Sequence, residues 1–154
     1  MNVPTDDLDR LMEVMDTAFD PVYGEAWTRR QVEDALLVGN CNYGLVNAEG
    51  SIPNENEPAV GFYLSRSAAQ EEELLLFAVI PEYRRRGLGR TLLQMLRSDA
   101  LSRGIERIFL EMRKGNPAES LYSAFGFSPI GVRPDYYKFT NGNRIDAITF
   151  GLNI

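Results

Sequence analysis

The chain has 154 residues, enough for one compact domain over residues 1–154 that buries roughly two-thirds of its unfolded surface without a disulfide or a metal. It contains no His and a single Cys, which removes Ser-His-Asp and Cys-His catalysis and argues against any zinc site. A net charge of −6 speaks against binding nucleic acid through phosphates and favours a cationic partner, such as an amine or a basic peptide.

Any catalytic base must therefore be a carboxylate, a Lys, a Tyr, or a water held by one of them. Cys41 reads as a small buried residue suited to a reducing compartment. The first residues carry neither a basic nor an apolar leader pattern, and no apolar run approaches the ~20 residues of a membrane span, so a cytoplasmic location without membrane partners is expected.

Leu8, Leu11, Met12, Met15, Ala18 and Phe19 recur at helical spacing behind Thr5, a potential N-cap. Thr28-Arg29-Arg30-Gln31 has the form of a capping box opening a second helix through Val32, Ala35 and Leu36. Strands are expected over Cys41 to Val46 and Ala59 to Leu64, joined by a polar loop rich in Gly, Pro and Asn. Leu74 to Val79 is a continuous apolar run ended by Pro81, the pattern of a strand buried on both faces. Leu88, Leu92, Leu93, Leu96 and Ala100 mark an amphipathic helix with Gly104 behind it. A strand over Ile108 to Met112 and a short helix opened by Asn116-Pro117 and closed by Gly126 follow. The last strands are expected over Ser128 to Val132 and Ile145 to Leu152. The order α-α-β-β-β-α-β-α-β-β predicts an α/β mixed sheet flanked by helices. Its central strand-helix-strand unit should be a right-handed parallel crossover.

The segment Val79-Ile80-Pro81-Glu82-Tyr83-Arg84-Arg85-Arg86-Gly87-Leu88-Gly89-Arg90 joins a buried strand to a helix start. Gly87 and Gly89 permit a tight turn whose N–H groups converge on an anion, and the helix dipole favours one there. Arginines around the turn suit the oxygens of a diphosphate. A GxG alone also fits a solvated basic loop, and this segment lacks the Gly-Lys-Ser/Thr of a P-loop and the third glycine of a dinucleotide fingerprint. Glu111 interrupts an apolar strand, where a carboxylate is either an ion-pair partner or a base. Tyr122, among Ala118, Leu121 and Phe125, reads first as a core aromatic with a satisfied hydroxyl.

Arg84-x-x-Gly87-x-Gly89 resembles the acetyl-CoA motif of the GNAT superfamily. Phe77-Ala78-Val79, Leu110-Glu111-Met112-Arg113, Asn116, Leu121-Tyr122, Gly126-Phe127 and Arg133-x-x-Tyr136-Tyr137 with Asp146-Ala147 resemble its RimI-type protein N-alpha-acetyltransferases. The likeness runs from Glu72 to the C-terminus. Upstream it rests on Trp27-Thr28 and element order.

The resemblance implies direct transfer of acetyl from acetyl-CoA, without a metal, to a protein N-terminus; the branch's best-known target is a ribosomal protein with an N-terminal alanine. It implies that Phe77, Ala78 and Val79 flank the pantetheine arm, and that Arg84, Arg85, Arg86, Gly87, Leu88 and Gly89 hold the pyrophosphate through loop amides. It further implies Asn116 on the CoA arm, Glu111 as base, Tyr122 as acid, and Tyr136 and Tyr137 lining the peptide slot. Trp27 would wall that slot or anchor the second helix. The pattern departs from the branch in a short or missing first strand, in Ala26 before Trp27, and in Ile80 where Asp is frequent. A GNAT acting on a small amine with its base among Glu71, Glu72 and Glu73, and a non-catalytic acyl-CoA-binding module, are the alternatives. A monomer or weak dimer is expected.

Overall fold

The computed structural model describes residues 5–139 and 141–154; the side chain of Thr5, read above as a cap, lies outside the described residues. Helices α1 (Thr5–Ala18) and α2 (Arg29–Val38) are followed by strands β1 (Cys41–Val46), β2 (Gly61–Ala68) and β3 (Glu71–Val79). Then come α3 (Leu88–Ser102), β4 (Arg107–Arg113), α4 (Glu119–Phe125), β5 (Ser128–Lys138) and β6 (Arg144–Asn153). The expected order is observed. Among the described residues no strand precedes α1.

Local chemistry explains the boundaries. The Thr28 hydroxyl accepts from the Gln31 N–H, and the Gln31 side chain accepts from the Thr28 N–H, which closes the capping box at the start of α2. At the end of α3 the Ile105 N–H returns to the Ala100 carbonyl, with Gly104 at φ +79° carrying the turn. Three strands depart from expectation. β2 runs from Gly61 to Ala68 rather than from Ala59 to Leu64. β3 starts at Glu71 rather than Leu74, and as expected it is covered on both faces: Leu74 and Val79 enter one apolar core, Leu76 and Ala78 the other. β5 runs on to Lys138 because its ladder with β6 resumes at Tyr137–Ile145 after a bulge containing Asp135 at φ +53°.

The six strands form one sheet in the order β1-β2-β3-β4-β6-β5. All neighbours are antiparallel except β3 and β4. One apolar core, with Leu92, Leu96, Leu110, Tyr122 and Phe127, packs α3 and α4 on one side of the sheet. A second, with Leu11, Met15, Val32, Phe62 and Leu76, packs α1 and α2 on the other. Burying such side chains contributes about 1.5–3 kcal/mol each, and this holds the sheet between its helices.

The parallel ladder of β3 and β4 is short, pairing only Glu71–Leu74 with Arg107–Leu110. Beyond it β3 stays with β2 to Val79, and β4 stays with β6 to Arg113. The sheet therefore opens into a gap between Leu75–Val79 and Glu111–Arg113.

Candidate active site

The gap carries a cavity of about 280 Å³. Leu75, Leu76 and Phe77 line it from β3, Leu110, Glu111 and Met112 from β4, and Asn116, Tyr122 and Tyr137 from beyond. Phe19, Gly24, Glu25 and Trp27 close it from the end of α1 and the α1–α2 loop. Trp27 also packs on the α1–α2 core, so it both walls the cavity and anchors the loop.

Backbone groups on the β3 side of the gap follow from register. The Ile80 N–H donates to the Val60 carbonyl at 2.8 Å, so the neighbouring Gly61–Val79 pair is a non-hydrogen-bonded one. Val79, and Phe77 two residues before it, thus aim their N–H and C=O at the open edge, where β4 supplies no ladder partner. Arg84 takes one of these groups: its Nε donates to the Val79 carbonyl at 2.9 Å, and its Nη2 to the Ala18 carbonyl at 3.0 Å.

The turn beyond Val79 is bent by Pro81–Tyr83 in a 3-10 turn, Arg85 at φ +62° and Gly87 at φ +81°. Among the described residues no group accepts from the backbone N–H of Arg85 through Arg90; the first helical bond is Thr91 N–H to Gly87 C=O. These unpartnered amides stand at the head of a 15-residue helix, where the backbone and its dipole favour an anion. The Arg86 guanidinium lies 5.1 Å from the Tyr83 ring centroid and that of Arg90 5.7 Å from the Phe125 ring. Gly89 serves packing: a Cβ there would meet Leu121 Cδ2 at 2.7 Å.

Tyr122 packs edge-on between Phe77 and Phe127 and is almost fully buried, yet it reaches the cavity wall. Burial, and secondarily the charge of Glu25, push its hydroxyl well above the usual tyrosine range. Among the described residues nothing hydrogen-bonds that hydroxyl. The Asn116 side chain accepts from the Ala118 N–H at 2.9 Å, and the helix it was expected to open begins only at Glu119.

Glu111 and Arg113 lie two apart on β4 and share the face opposite Leu110 and Met112, which are buried in the α3–α4 core. Glu111 Oε2 lies 3.2 Å from Arg133 Nε and accepts from Thr149 Oγ1 at 3.4 Å. Tyr137 is pushed up to about 12 by burial and then by Glu111 and Glu25. Tyr136 stands outside the cavity, half exposed and edge-on to Tyr137 at 5.3 Å. Asp146 accepts from the Asp135 N–H at 3.0 Å and so fixes the β5 bulge.

The Acetyltransferase (GNAT) family model matches residues 8–127, more than half of the chain. The chain belongs to the GNAT acetyltransferase family. Members of this family use acetyl-CoA, and the open β3 edge, the cavity and the unpartnered amides of Arg85 to Arg90 suit a thioester on a diphosphate-bearing arm. The GNAT chain is 32% identical over 94 residues to the ribosomal protein bS18-alanine N-acetyltransferase of Haemophilus influenzae, covering 61% of this chain and 64% of that one. It is 38% identical over 101 residues to the enzyme of the same name from Escherichia coli, covering 65% and 68%. The match thus spans about two-thirds of these relatives. The crystal structure of the ribosomal-protein-S18-alanine N-acetyltransferase from Escherichia coli superposes with a TM-score of 0.79 at 28% identity, covering 100% of this chain and 92% of that one.

The structure therefore gathers Phe77, Glu111, Asn116, Tyr122 and Tyr137 at one cavity, with Val79 and the turn from Arg84 to Gly89 at the end of the β3 edge. Glu71, Glu72 and Glu73 lie at the other end of β3, where the strands still pair. Each meets an arginine there: Arg107, Arg103 and Arg66. Glu25 was not legible in the sequence. It is a single acidic residue in a loop without periodicity, and only the closure of that loop onto β4 brings it to the cavity. Among the described residues no His/Cys/Asp/Glu group could hold a metal, and no helix is long and apolar enough to cross a membrane.

Proposed function

We propose that this chain transfers the acetyl group of acetyl-CoA to the N-terminal α-amine of a protein. The carrying observation is the gap itself: Glu111 stands on the α1–α2 face of the sheet and Tyr122 on the α3–α4 face, with the open β3 edge between them. In this reading the loop amides and Gly87 hold the diphosphate, Phe77 to Val79 run beside the pantetheine, and Asn116 contacts the arm. The Val79 N–H faces the thioester oxygen, where negative charge grows during attack.

An α-ammonium with a pKa of about 8 loses its proton to Glu111, directly or through a water. The nitrogen lone pair forms the new C–N bond, the C–S bond breaks, and the departing thiolate takes the Tyr122 proton. The acylated nitrogen then gives up its second proton, which restores the Tyr122 hydroxyl, and Glu111 passes its own proton to solvent. A hydroxyl raised by burial stays protonated until that moment. Transfer is direct, so orientation in the gap supplies much of the acceleration. Tyr137, with Trp27 opposite, bounds the slot through which a peptide N-terminus enters. The likeness to bS18-alanine N-acetyltransferases supports a protein N-terminus, with N-terminal alanine the first candidate. The setting is a single domain working in the cytoplasm.

Acetyl-CoA turnover against N-terminal peptides, Ala-initiated ones among them, and against polyamines and amino acids tests the reading. Peptide turnover exceeding that of every small amine is expected. Small-amine turnover alone replaces the substrate class, and acetyl-CoA binding without turnover reduces the protein to a binding module.

A further inference from the structure

Glu25 shares the cavity with Glu111, Tyr122 and Tyr137 but has no part in the chemistry assigned above. Among the described residues its one charged partner is Arg113, whose Nε lies 3.6 Å from Glu25 Oε1, inside ion-pair range and beyond a hydrogen bond. The Arg113 guanidinium is committed elsewhere, 3.6 Å from the Tyr23 ring centroid, and its buried Nε has no hydrogen-bond partner. Among the described residues nothing donates a hydrogen bond to the Glu25 carboxylate, although three-quarters of that side chain is buried.

A carboxylate so placed has only the long Arg113 contact to offset its partial burial, and its oxygens stay open to the cavity. Burial raises its carboxyl more than the charge and the long polar contact of Arg113 lower it. Glu111 differs, because it has both the Arg133 guanidinium and the Thr149 hydroxyl. Arg113 stands on the same face of β4 as Glu111, so the loop tied to Arg113 brings Glu25 beside Glu111 on the side from which an amine would approach. The field of Glu25 reaches both Tyr122 and Tyr137.

We infer that Glu25 receives the acceptor amine in its charged form, its carboxylate accepting an N–H⁺···O hydrogen bond, and that it thereby selects amines that arrive as cations. This rests on the acetyl-transfer reading. Glu25 fixes the nitrogen while Glu111 removes one proton from it, so the two carboxylates divide capture from deprotonation. Arg113 supplies the compensating positive charge at a distance that leaves the Glu25 oxygens open to the ligand.

The experiment compares the parent, Glu25→Gln and Glu25→Asp on two acceptors of equal length. One is a peptide with an ordinary α-amine; the other carries an N-terminal aminooxy group, which is uncharged at neutral pH. Thermal shift by acetyl-CoA is read alongside. Glu25→Gln should raise KM for the ordinary peptide on the order of ten- to a hundredfold, the worth of a charge-assisted hydrogen bond. KM for the aminooxy peptide should change less than about threefold, kcat should hold, and Glu25→Asp should recover part of the loss. An equal loss on both acceptors, or a weakened acetyl-CoA shift, would mean that Glu25 merely pins the loop through Arg113, and the inference falls. No loss on either acceptor also overturns it, while acetyl transfer itself survives. A parent that acetylates neither acceptor overturns the transfer reading and this role with it.

Discussion

Arg84 Nε donates to the Val79 carbonyl across the turn that separates β3 from α3, at 2.9 Å. The same guanidinium reaches the Ala18 carbonyl at the end of α1. An arginine in a basic run thus spends its side chain on two backbone oxygens and so sets the shape of the turn. It also ties the wall of the cavity contributed by α1 to the edge contributed by β3, so the two walls hold a common spacing.

Arg84→Ala should therefore weaken acetyl-CoA binding about tenfold and lower stability by about 1 kcal/mol, the scale of a lost hydrogen bond at a partly exposed site. Arg84→Lys should recover little, because one ammonium cannot reproduce a fork aimed at two carbonyls. Calorimetric titration with acetyl-CoA and thermal melts of the free protein check both. Binding restored by Lys to the parental value would assign the residue a simple charge role.

How much of this was legible depended on whether the residues concerned are neighbours in sequence. The Thr28–Gln31 capping box and the strand-turn-helix around Gly87 are local, and both stand as read. The length of β5 was not local: Pro134 and Asp135 look like a loop, and only the ladder with β6 across a bulge carries the strand to Lys138. The direction of the Arg84 side chain depends on where α1 ends in space, and a basic run says nothing of that. Glu25 needed the α1–α2 loop folded onto β4.

Glu72 is completely buried, with Arg103 Nη1 at 2.9 Å and hydrogen bonds from Ser65, Ser67 and Asn42. Burial alone would raise its carboxyl, but the hydrogen bonds and charge of Arg103, with the serines, hold it below the usual range. Its contribution is therefore present above the unfolded carboxylate pKa and lost as pH falls through the folded one. Arg103→Ala should cost about 3 kcal/mol at neutral pH by stranding a buried charge. The gap from the parent should narrow as acidification passes below the ordinary carboxylate range and down through the depressed folded pKa of Glu72, where its carboxylate takes up a proton. Denaturant melts across that range read the effect. A gap independent of pH would reassign Arg103 to packing.

Tyr122→Phe should lower kcat by one to two orders of magnitude, roughly the range of general acid catalysis, with acetyl-CoA affinity unchanged. Its hydroxyl has no described partner to lose, so thermal stability should hold within about 0.5 kcal/mol at neutral pH. The raised hydroxyl has a further consequence. The unfolded chain ionises this tyrosine near pH 10 while the folded one does not, so the folded state binds more protons and stability falls as pH rises past that point. Tyr122→Phe removes its share of that slope. A change confined to KM would make Tyr122 a packing residue.

Glu111→Gln separates the base from its rivals. The variant keeps the shape of the side chain and a hydrogen-bond acceptor for Thr149, but it cannot take a proton and loses its charge toward Arg133. If Glu111 deprotonates the acceptor, the defect in kcat/KM should be largest near pH 6.5, where an α-amine is mostly protonated, and should shrink above about pH 8, where the amine arrives neutral. Arg133→Ala provides the control: losing that guanidinium changes the charge around Glu111 but leaves the carboxylate itself, so turnover should fall far less than in Glu111→Gln. Glu71→Gln and Glu73→Gln, at paired surface positions away from the gap, should leave the profile unchanged. A pH-independent defect in Glu111→Gln, matched by Arg133→Ala, would instead make the Glu111–Arg133 pair a structural clamp between β4 and β5. The proton would then have to leave by another carboxylate of the cavity, and Glu25 is the one the fold provides.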